Sequence, residues 1–479
     1  MLIVDVLIQS SGSGRTTIVA HNSTTCQWGL AQYPTIIVYG LPCRYNQIAR
    51  MTSSLARPAS SHVRWTVCGL LFFATTINYV DRQVLSLLAK TLETSIGWTT
   101  IQYSDITTAF TVAYGVGLLG AGRLLDKYGT RLGFAIAVTL WSCAAMAHAF
   151  AATALGFGIA RSLLGLGEAA NFPACIKTVA EWFPKRERAK ATGIFNSGSN
   201  VGAVAATLTV PFLTSHWGWQ AAFIATGAIG FIWLAVWWLL YRRPEENPRV
   251  SAEELGYVQS DPPDKAASYP WVRLLPLRQT WSFALGKFLT DGVWWFYLFW
   301  LPKYLQETFH LTLAQIIIPT LVAYNGASIG SVGGGWLSSS LMLKGWSINA
   351  SRKTAMLICA TCVLPMLYAP YCKNLWIVVG LVTLAMAAHQ GWSCNLFTTV
   401  SDMFPRSAVG SVVGIGGAFG CLGGALVQQA TGLVVTLTHS YYLMFVFCGV
   451  IYLIALSIIQ GLTPKLDLAE LDYTPALAE

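Results

Sequence analysis

Arg161 and Glu168 stand seven residues apart in Gly156–Ile176, a run with no other charge. At 1.5 Å per residue a helix puts them on one face, about 10.5 Å apart along its axis. Opposite charges inside an apolar segment are costly in a bilayer and mark function there. Asp81 and Arg82 close a second apolar run, Trp65–Val80. A guanidinium is a planar fork of donors that matches a carboxylate, and a neighbouring acid can take up a proton. The two sites together predict an anion seat with a proton site nearby. Two structural ion pairs would use the same residues, but the cost of burying charge favours the functional reading.

The elements that carry these residues follow from composition. The chain has 479 residues, 54% of them hydrophobic and 11% charged, with a mean hydropathy of +0.53. A soluble domain carries about a quarter charged residues. The apolar stretches are ~20 residues long, the length of a membrane-crossing helix, whereas a β-barrel would alternate in ten-residue segments. The expected fold is an all-α membrane protein of twelve transmembrane helices: 64–88, 104–124, 131–150, 153–178, 188–212, 219–241, 277–305, 314–340, 353–371, 375–399, 408–434 and 439–461.

The net charge of +9 sits in alternate connectors, at Lys127 and Arg131, at Lys185, Arg186, Arg188 and Lys190, at Arg242, Arg243, Arg249, Lys265, Arg273 and Arg278, and at Arg352 and Lys353. That pattern makes these connectors and both termini cytoplasmic, and argues against nucleic acid as a partner. Eleven cysteines lie mostly in apolar runs as small packing residues. Cys359 and Cys362 form a CxxC without a second CxxC or a histidine cluster, so no metal or other cofactor is expected.

Residues 1–63 precede the first span. They are expected to be disordered, and the Ser- and Thr-rich residues 1–50 are expected to be disordered or to lie outside the native product, with Met51 as the more natural start. Glu181-Trp-Phe-Pro…Gly193 returns as Asp402-Met-Phe-Pro…Gly414, an offset of 221 (402 − 181, 414 − 193). The repeat divides the chain into a six-helix half at 64–241, a cytoplasmic linker at 242–276, a second half at 277–462 and a cytoplasmic tail at 463–479. Parallel halves of this kind place a substrate site between them near the bilayer midplane. The same offset carries Glu168 onto His389 (389 − 168). His389 is therefore a candidate cavity residue, with a hydrogen-bonded packing role as the alternative.

Gly122-Arg-Leu-Leu-Asp126-Lys127-Tyr-Gly129-Thr-Arg131 resembles the GxxxDRxGRR loop of the major facilitator superfamily. Its glycines let helix ends approach, and Asp126 can pair with basic groups or a helix N-terminus, so Gly122, Asp126, Lys127, Gly129 and Arg131 are read as a conformational latch. The second-half counterpart, Gly334…Gly345, lacks the acid. Asn78-Tyr-Val-Asp-Arg82, Arg161…Gly165…Glu168-Ala-Ala-Asn-Phe-Pro173, Glu181-Trp-Phe-Pro…Glu187-Arg188 and Phe195-Asn-Ser-Gly-Ser-Asn-Val-Gly202 resemble the anion:cation symporter family from about residue 64 to 462. With Ala388-His389-Gln390, they are similar to hexuronate transporters.

The resemblance implies proton-coupled import of a small organic anion such as glucuronate or galacturonate, by a monomer in a bacterial inner membrane. It assigns the substrate seat to Arg82 with Tyr79, Tyr114 and Arg161, and the proton to Asp81 and Glu168. Several relatives carry Gln where this chain has Ser199. A sugar acid also needs neutral donors, acceptors and stacking surfaces, for which Asn196, Ser199, Gln390, Trp392 and Asn395 are candidates. Asp291 precedes Trp294-Trp295-Phe296-Tyr297, aromatics that read as an interfacial belt or, alternatively, as a cavity wall. Proton coupling is expected to run through a changing contact between Glu168 and Arg161. The rival readings are carriers of other organic acids (aldonate, glucarate, aromatic or dicarboxylic) and a non-transporting sensor. No HExxH or GxSxG motif supports an enzyme.

Overall fold

The computed structural model describes residues 7–11, 15–19, 25–26, 38–39, 62–260 and 271–470. The chain divides into two units, Met1–Ser60 and Ser61–Glu479, each described by itself. In the first, β1 (Leu7–Ser11) pairs antiparallel with β2 (Arg15–Val19), and β3 (Thr25–Cys26) with β4 (Val38–Tyr39). These strands and the first residue of the helix at Val63 fall within residues 1–63, the segment expected to be disordered, most of which lies outside the described residues.

The second unit is helical. Its first half holds α1 (Val63–Leu87), the short α2 (Ala89–Ile96), α3 (Thr100–Ala147), α4 (Ala154–Glu168), α5 (Asn171–Trp182), α6 (Lys185–Trp217) and α7 (Trp219–Leu240). Two short helices follow, α8 (Ala252–Val258) and α9 (Trp271–Leu274). The second half holds α10 (Arg278–Phe309), α11 (Ile317–Leu343), α12 (Ile348–Val363), α13 (Leu375–Met403), α14 (Arg406–Thr438) and α15 (Tyr442–Leu462). α3 makes two traversals, because Gly129 at φ 73° breaks it where a residue with a Cβ would be strained. α4 and α5 together make one. Each half therefore crosses six times.

Seven traversals are long and apolar enough to span a membrane by length and composition alone. The other five (12 − 7) are the first leg of α3, α4–α5, α6, α10 and α11. Their polar and glycine content has a structural reason, since α3 packs on α14 and α6 on α11 across the seam between the halves. Large apolar side chains such as Phe73, Leu155, Ile232, Ile329 and Val332 point outward, as a hydrocarbon surround requires.

The repeat is built into the helix boundaries. α4–α5 maps onto α13 (375 − 154 = 403 − 182 = 221) and α6 onto α14 (406 − 185 = 438 − 217 = 221). Both members of the first pair are capped alike: Thr153 accepts from Gly156 N and Asn374 from Trp376 N. Small residues let these helices touch. A side chain on Gly202 would run into the carbonyl of Thr76, and one on Gly423 into that of Phe288.

The hydrogen bonds joining the halves gather at the end of the bundle away from α8. Gln83 Nε2 donates to Tyr324 OH at 2.8 Å, Tyr103 OH to the Phe299 carbonyl at 2.6 Å, and Thr107 Oγ1 and Trp300 Nε1 both to Gln428 Oε1. Beyond them Lys303 Nζ lies 3.3 Å from Glu93 and 3.6 Å from Glu307. At the other end α8 is clamped to the first half: Glu254 accepts from Arg64, and Tyr257 OH donates to Glu187 at 2.9 Å.

Candidate functional site

α1 brings Asn78, Tyr79, Asp81 and Arg82 to the level where the halves meet, and α4 brings Arg161 and Glu168 against them. The helix ladder is interrupted at Ala169–Ala170, so Glu168 is the last residue of α4. Its carboxylate faces α1. Glu168 Oε2 accepts from Arg82 Nε at 2.9 Å and from Arg82 Nη2 at 2.8 Å, with both side chains almost wholly buried.

The expected pairing of Glu168 with Arg161 is therefore corrected. Arg161 donates instead from Nη2 to the Arg82 carbonyl (2.5 Å) and from Nη1 to the Asp81 carbonyl (3.4 Å). Seven residues share a helix face but leave the charges two turns apart, and the facing helix supplied nearer partners to both. Arg161 anchors the backbone that carries Arg82, and Glu168 holds its guanidinium.

Four rings enclose Arg82: Tyr79 at 4.7 Å, Tyr114 at 4.9 Å, Phe110 at 5.2 Å and, from the second half, Trp295 at 5.4 Å. Phe110 stacks on Tyr114 at 5.9 Å. Several polar atoms at this centre are buried without a hydrogen bond among the described residues: Glu168 Oε1, Asn78 Nδ2, Arg161 Nε and both oxygens of Asp81. The Thr226 hydroxyl beside Asp81 is turned to the Phe223 carbonyl. Sequence reading found the charges, and offered Trp295 as a cavity wall only as the alternative to a belt, but missed Phe110, since an apolar aromatic in a span carries no distinguishing spacing.

The remaining candidates are not gathered here. Asn196 is exposed, and Ser199 Oγ donates to its carbonyl at 2.7 Å. Gln390 is half-buried. Asn395 Nδ2 donates to the carbonyls of Gly334 and Gly391, both at 2.9 Å, joining α11 to α13, and Trp392 is buried edge-on to Tyr452. These two pack the second half instead of facing Arg82. His389 likewise is bonded to Tyr452 OH at 2.7 Å and stacked on Trp294 at 5.4 Å.

The repeat explains that position. Glycine contacts relate α1 to α10 by 212 (288 − 76, from the Thr76 and Phe288 carbonyls), which carries Arg82 onto Trp294 (82 + 212). His389 on Trp294 is thus the counterpart of Glu168 on Arg82, with ring stacking in place of an ion pair. The belt reading of Trp294–Tyr297 is corrected too, because Trp295, Phe296 and Tyr297 are 6%, 1% and 0% exposed. Lys287, which no motif flagged, pairs with Asp291 at 2.7 Å.

At the α8 end, Gly129 makes the turn within α3, and Arg131 Nη2 donates to the Trp238 carbonyl at 2.6 Å with its guanidinium over the Trp238 ring. Thr130 Oγ1 and Tyr241 OH both donate to Glu181. Lys127 is exposed over Tyr128, and Gly122 has open space beside it. The Asp126 side chain lies outside the described residues. In the second half Arg352 donates to Asp402 at 3.1 Å, and both residues are repeat mates of this cluster (352 − 131 = 402 − 181 = 221).

A caged guanidinium paired with a carboxylate has the donor geometry to take another carboxylate in its place. Known proteins share the frame in which this is set. A solved D-xylose-proton symporter matches 84% of this chain and 98% of its own at a TM-score of 0.68 and 13% identity, a likeness of fold. A hexuronate transporter of Escherichia coli strain K12 is 31% identical over 377 residues, 77% of this chain and 87% of that protein. A "Probable galactarate/D-glucarate transporter" of the same organism is 29% identical over 419 residues, 82% of this chain and 93% of its own. These are membrane transporters and not enzymes, and with the Major Facilitator Superfamily model matching residues 71–428, the chain belongs to that superfamily of multi-pass membrane transporters.

Proposed function

We propose that this chain imports a sugar-acid anion, a hexuronate first of all, together with a proton. The observation that carries the reading is that Glu168 occupies both Nε and Nη2 of Arg82, the fork that a substrate carboxylate needs. Ionised Glu168 competes with the substrate; protonated Glu168 does not. Proton and anion therefore help each other to bind, and the coupling is reciprocal by linkage. Asp81 is a second proton carrier: an unpaired carboxylate buried in protein costs several kcal/mol, a cost that a proton removes. Tyr79, Tyr114, Phe110 and Trp295 keep water from the exchange and lend their faces to the sugar.

On this reading the protein acts as a monomer in a bacterial inner membrane with the α8 end and both termini in the cytoplasm, an orientation that the basic connectors support. With the seam bonded at the opposite end, the conformation described is closed to the outside. Gly129, Arg131 and Glu181 hold the cytoplasmic ends of α3, α5 and α7 together, so that the half rocks as one body, and Asp126 belongs to this latch. Asn196, Ser199 and Gln390 reach the substrate in other conformations.

The galactarate/D-glucarate relative keeps a hexarate as the second reading. A thermal-shift titration of purified protein with glucuronate, galactonate and glucarate decides between them, because a ligand that binds the folded state stabilises it by RT ln(1 + [L]/Kd). A larger shift with glucuronate supports the first reading. A larger one with glucarate supports the second, and no shift with any of the three refutes both.

A further inference from the structure

Lys287 and Asp291 form an ion pair that the exchange at Arg82 does not use. Their side chains are 9% and 17% exposed and 2.7 Å apart. They belong to a stripe on α10, Lys287, Asp291, Trp295 and Phe299, spaced four apart and so on adjoining turns of one face. Two members of the stripe touch the first half. Trp295 meets Arg82 and Tyr114; Phe299 lies under the Arg161 guanidinium at 5.8 Å and accepts from Tyr103 through its carbonyl. The stripe therefore continues to Asp291 along the seam, one turn (about 6 Å) from Trp295.

α14 leaves room for it. A side chain on Gly420 would run into the Asp291 carboxyl, and one on Gly424 into the Trp295 ring. Cys421, next to Gly420, meets Gly115 of the first half, and Gly115 follows Tyr114 of the Arg82 cage. Trp295 thus touches Arg82 and Tyr114 across the seam, and Asp291 lies on the adjoining turn against Gly420, the neighbour of Cys421, which itself meets the first half.

We propose that Asp291 and Lys287, beside Trp295, form the hydroxyl-recognising subsite of the transport site, taking a vicinal diol of the sugar while Arg82 takes the carboxylate. An Asp carboxylate accepts two hydroxyl donors side by side, Lys287 donates to a ring or hydroxyl oxygen, and the indole face covers the C–H side of the sugar. This rests on the sugar-acid reading of Arg82 and adds what distinguishes a sugar acid from any other carboxylate. A site built to hydrogen-bond hydroxyls rejects an analogue that lacks them, because its polar groups are then left unpaired.

The test uses purified full-length protein and two probes, glucuronate and cyclohexanecarboxylate, titrated by thermal shift. Wild type prefers glucuronate. Asp291→Asn and Lys287→Gln weaken glucuronate roughly tenfold and leave cyclohexanecarboxylate unchanged, the loss expected for one hydrogen bond to a charged group. Asp291→Glu keeps the ion pair and guards against misfolding; it also lowers the preference severalfold, because the carboxylate moves by one methylene. An unchanged preference in all three variants, or an equal loss of both probes, assigns the pair a structural role and overturns the proposal. A wild-type protein that binds neither acid removes the sugar-acid reading and this one with it.

Discussion

Arg82→Lys keeps the charge and removes the fork. In the native arrangement Arg82 gives Glu168 two charge-assisted hydrogen bonds, at 2.9 and 2.8 Å, and lays its flat face among four rings at 4.7 to 5.4 Å. An ammonium on a shorter stem reproduces one of those bonds. The lost bond to a charged partner is worth about 1.5–3 kcal/mol. A substrate carboxylate that takes Glu168's place loses the same bond. With part of the face stacking also gone, glucuronate binding should weaken by about 2–3 kcal/mol, or roughly 30- to 150-fold at 1.4 kcal/mol per tenfold. The assay is equilibrium binding of radiolabelled glucuronate to purified wild-type and variant protein in acidic buffer, where competition from Glu168 is least. An affinity within about threefold of wild type, less than 1 kcal/mol, would refute the claim that fork geometry and not charge alone makes the seat.

Other expectations follow from packing and from the seam. Gly202→Ala puts a methyl against the Thr76 carbonyl and should destabilise by about 1–3 kcal/mol; Gly193→Ala, on the same helix with open space beside it, should be neutral or slightly stabilising, and thermal melts compare the two. Asp81→Asn replaces a carboxyl that has no hydrogen-bond partner among the described residues, so the fold should persist while the proton-to-substrate ratio falls, read as proton flux per labelled substrate in liposomes; an unchanged ratio removes Asp81 from the coupling. Lys303→Met leaves the exposed Lys90, 3.3 Å from Glu93 and 3.9 Å from Glu307, as the remaining cation among the described residues to offset the repulsion of these two glutamates across the seam. That repulsion should loosen the outer closure and raise labelling of Cys421 by an impermeant maleimide, in a background lacking the other cysteines; unchanged labelling would show that Lys303 does not hold the closure.

Much of this arrangement is visible in the chain before folding. Apolar runs of bilayer length fix the helices, and the Phe-Pro repeat fixes the two halves, because each Pro precedes the start of α6 or α14. The charged residues of the centre are equally plain, since a bilayer leaves so few charges unexplained. Their partners are not. Arg161 and Glu168 are neighbours in sequence, yet each reaches across to α1, and no local spacing encodes which helix will face them once Gly165 and Gly167 have seated α4 on α3, and Gly198 and Gly202 have seated α6 on α1. The same limit hid Lys287, whose partner Asp291 lies one turn away but whose place on the seam depends on where Trp295 docks. Asn395 and Trp392 show the opposite limit: their types and their place near His389 suggest a cavity, and the sequence does not tell that from the contacts they make here, Asn395 to α11 and Trp392 to Tyr452 of α15.

The competition between Glu168 and substrate for Arg82 is tested most directly by Glu168→Gln in proteoliposomes. Gln holds the place of the protonated acid at every pH. The account predicts that an imposed proton gradient no longer drives glucuronate above its external concentration, while exchange of labelled for unlabelled glucuronate continues. Gradient-driven accumulation at the wild-type level would contradict it.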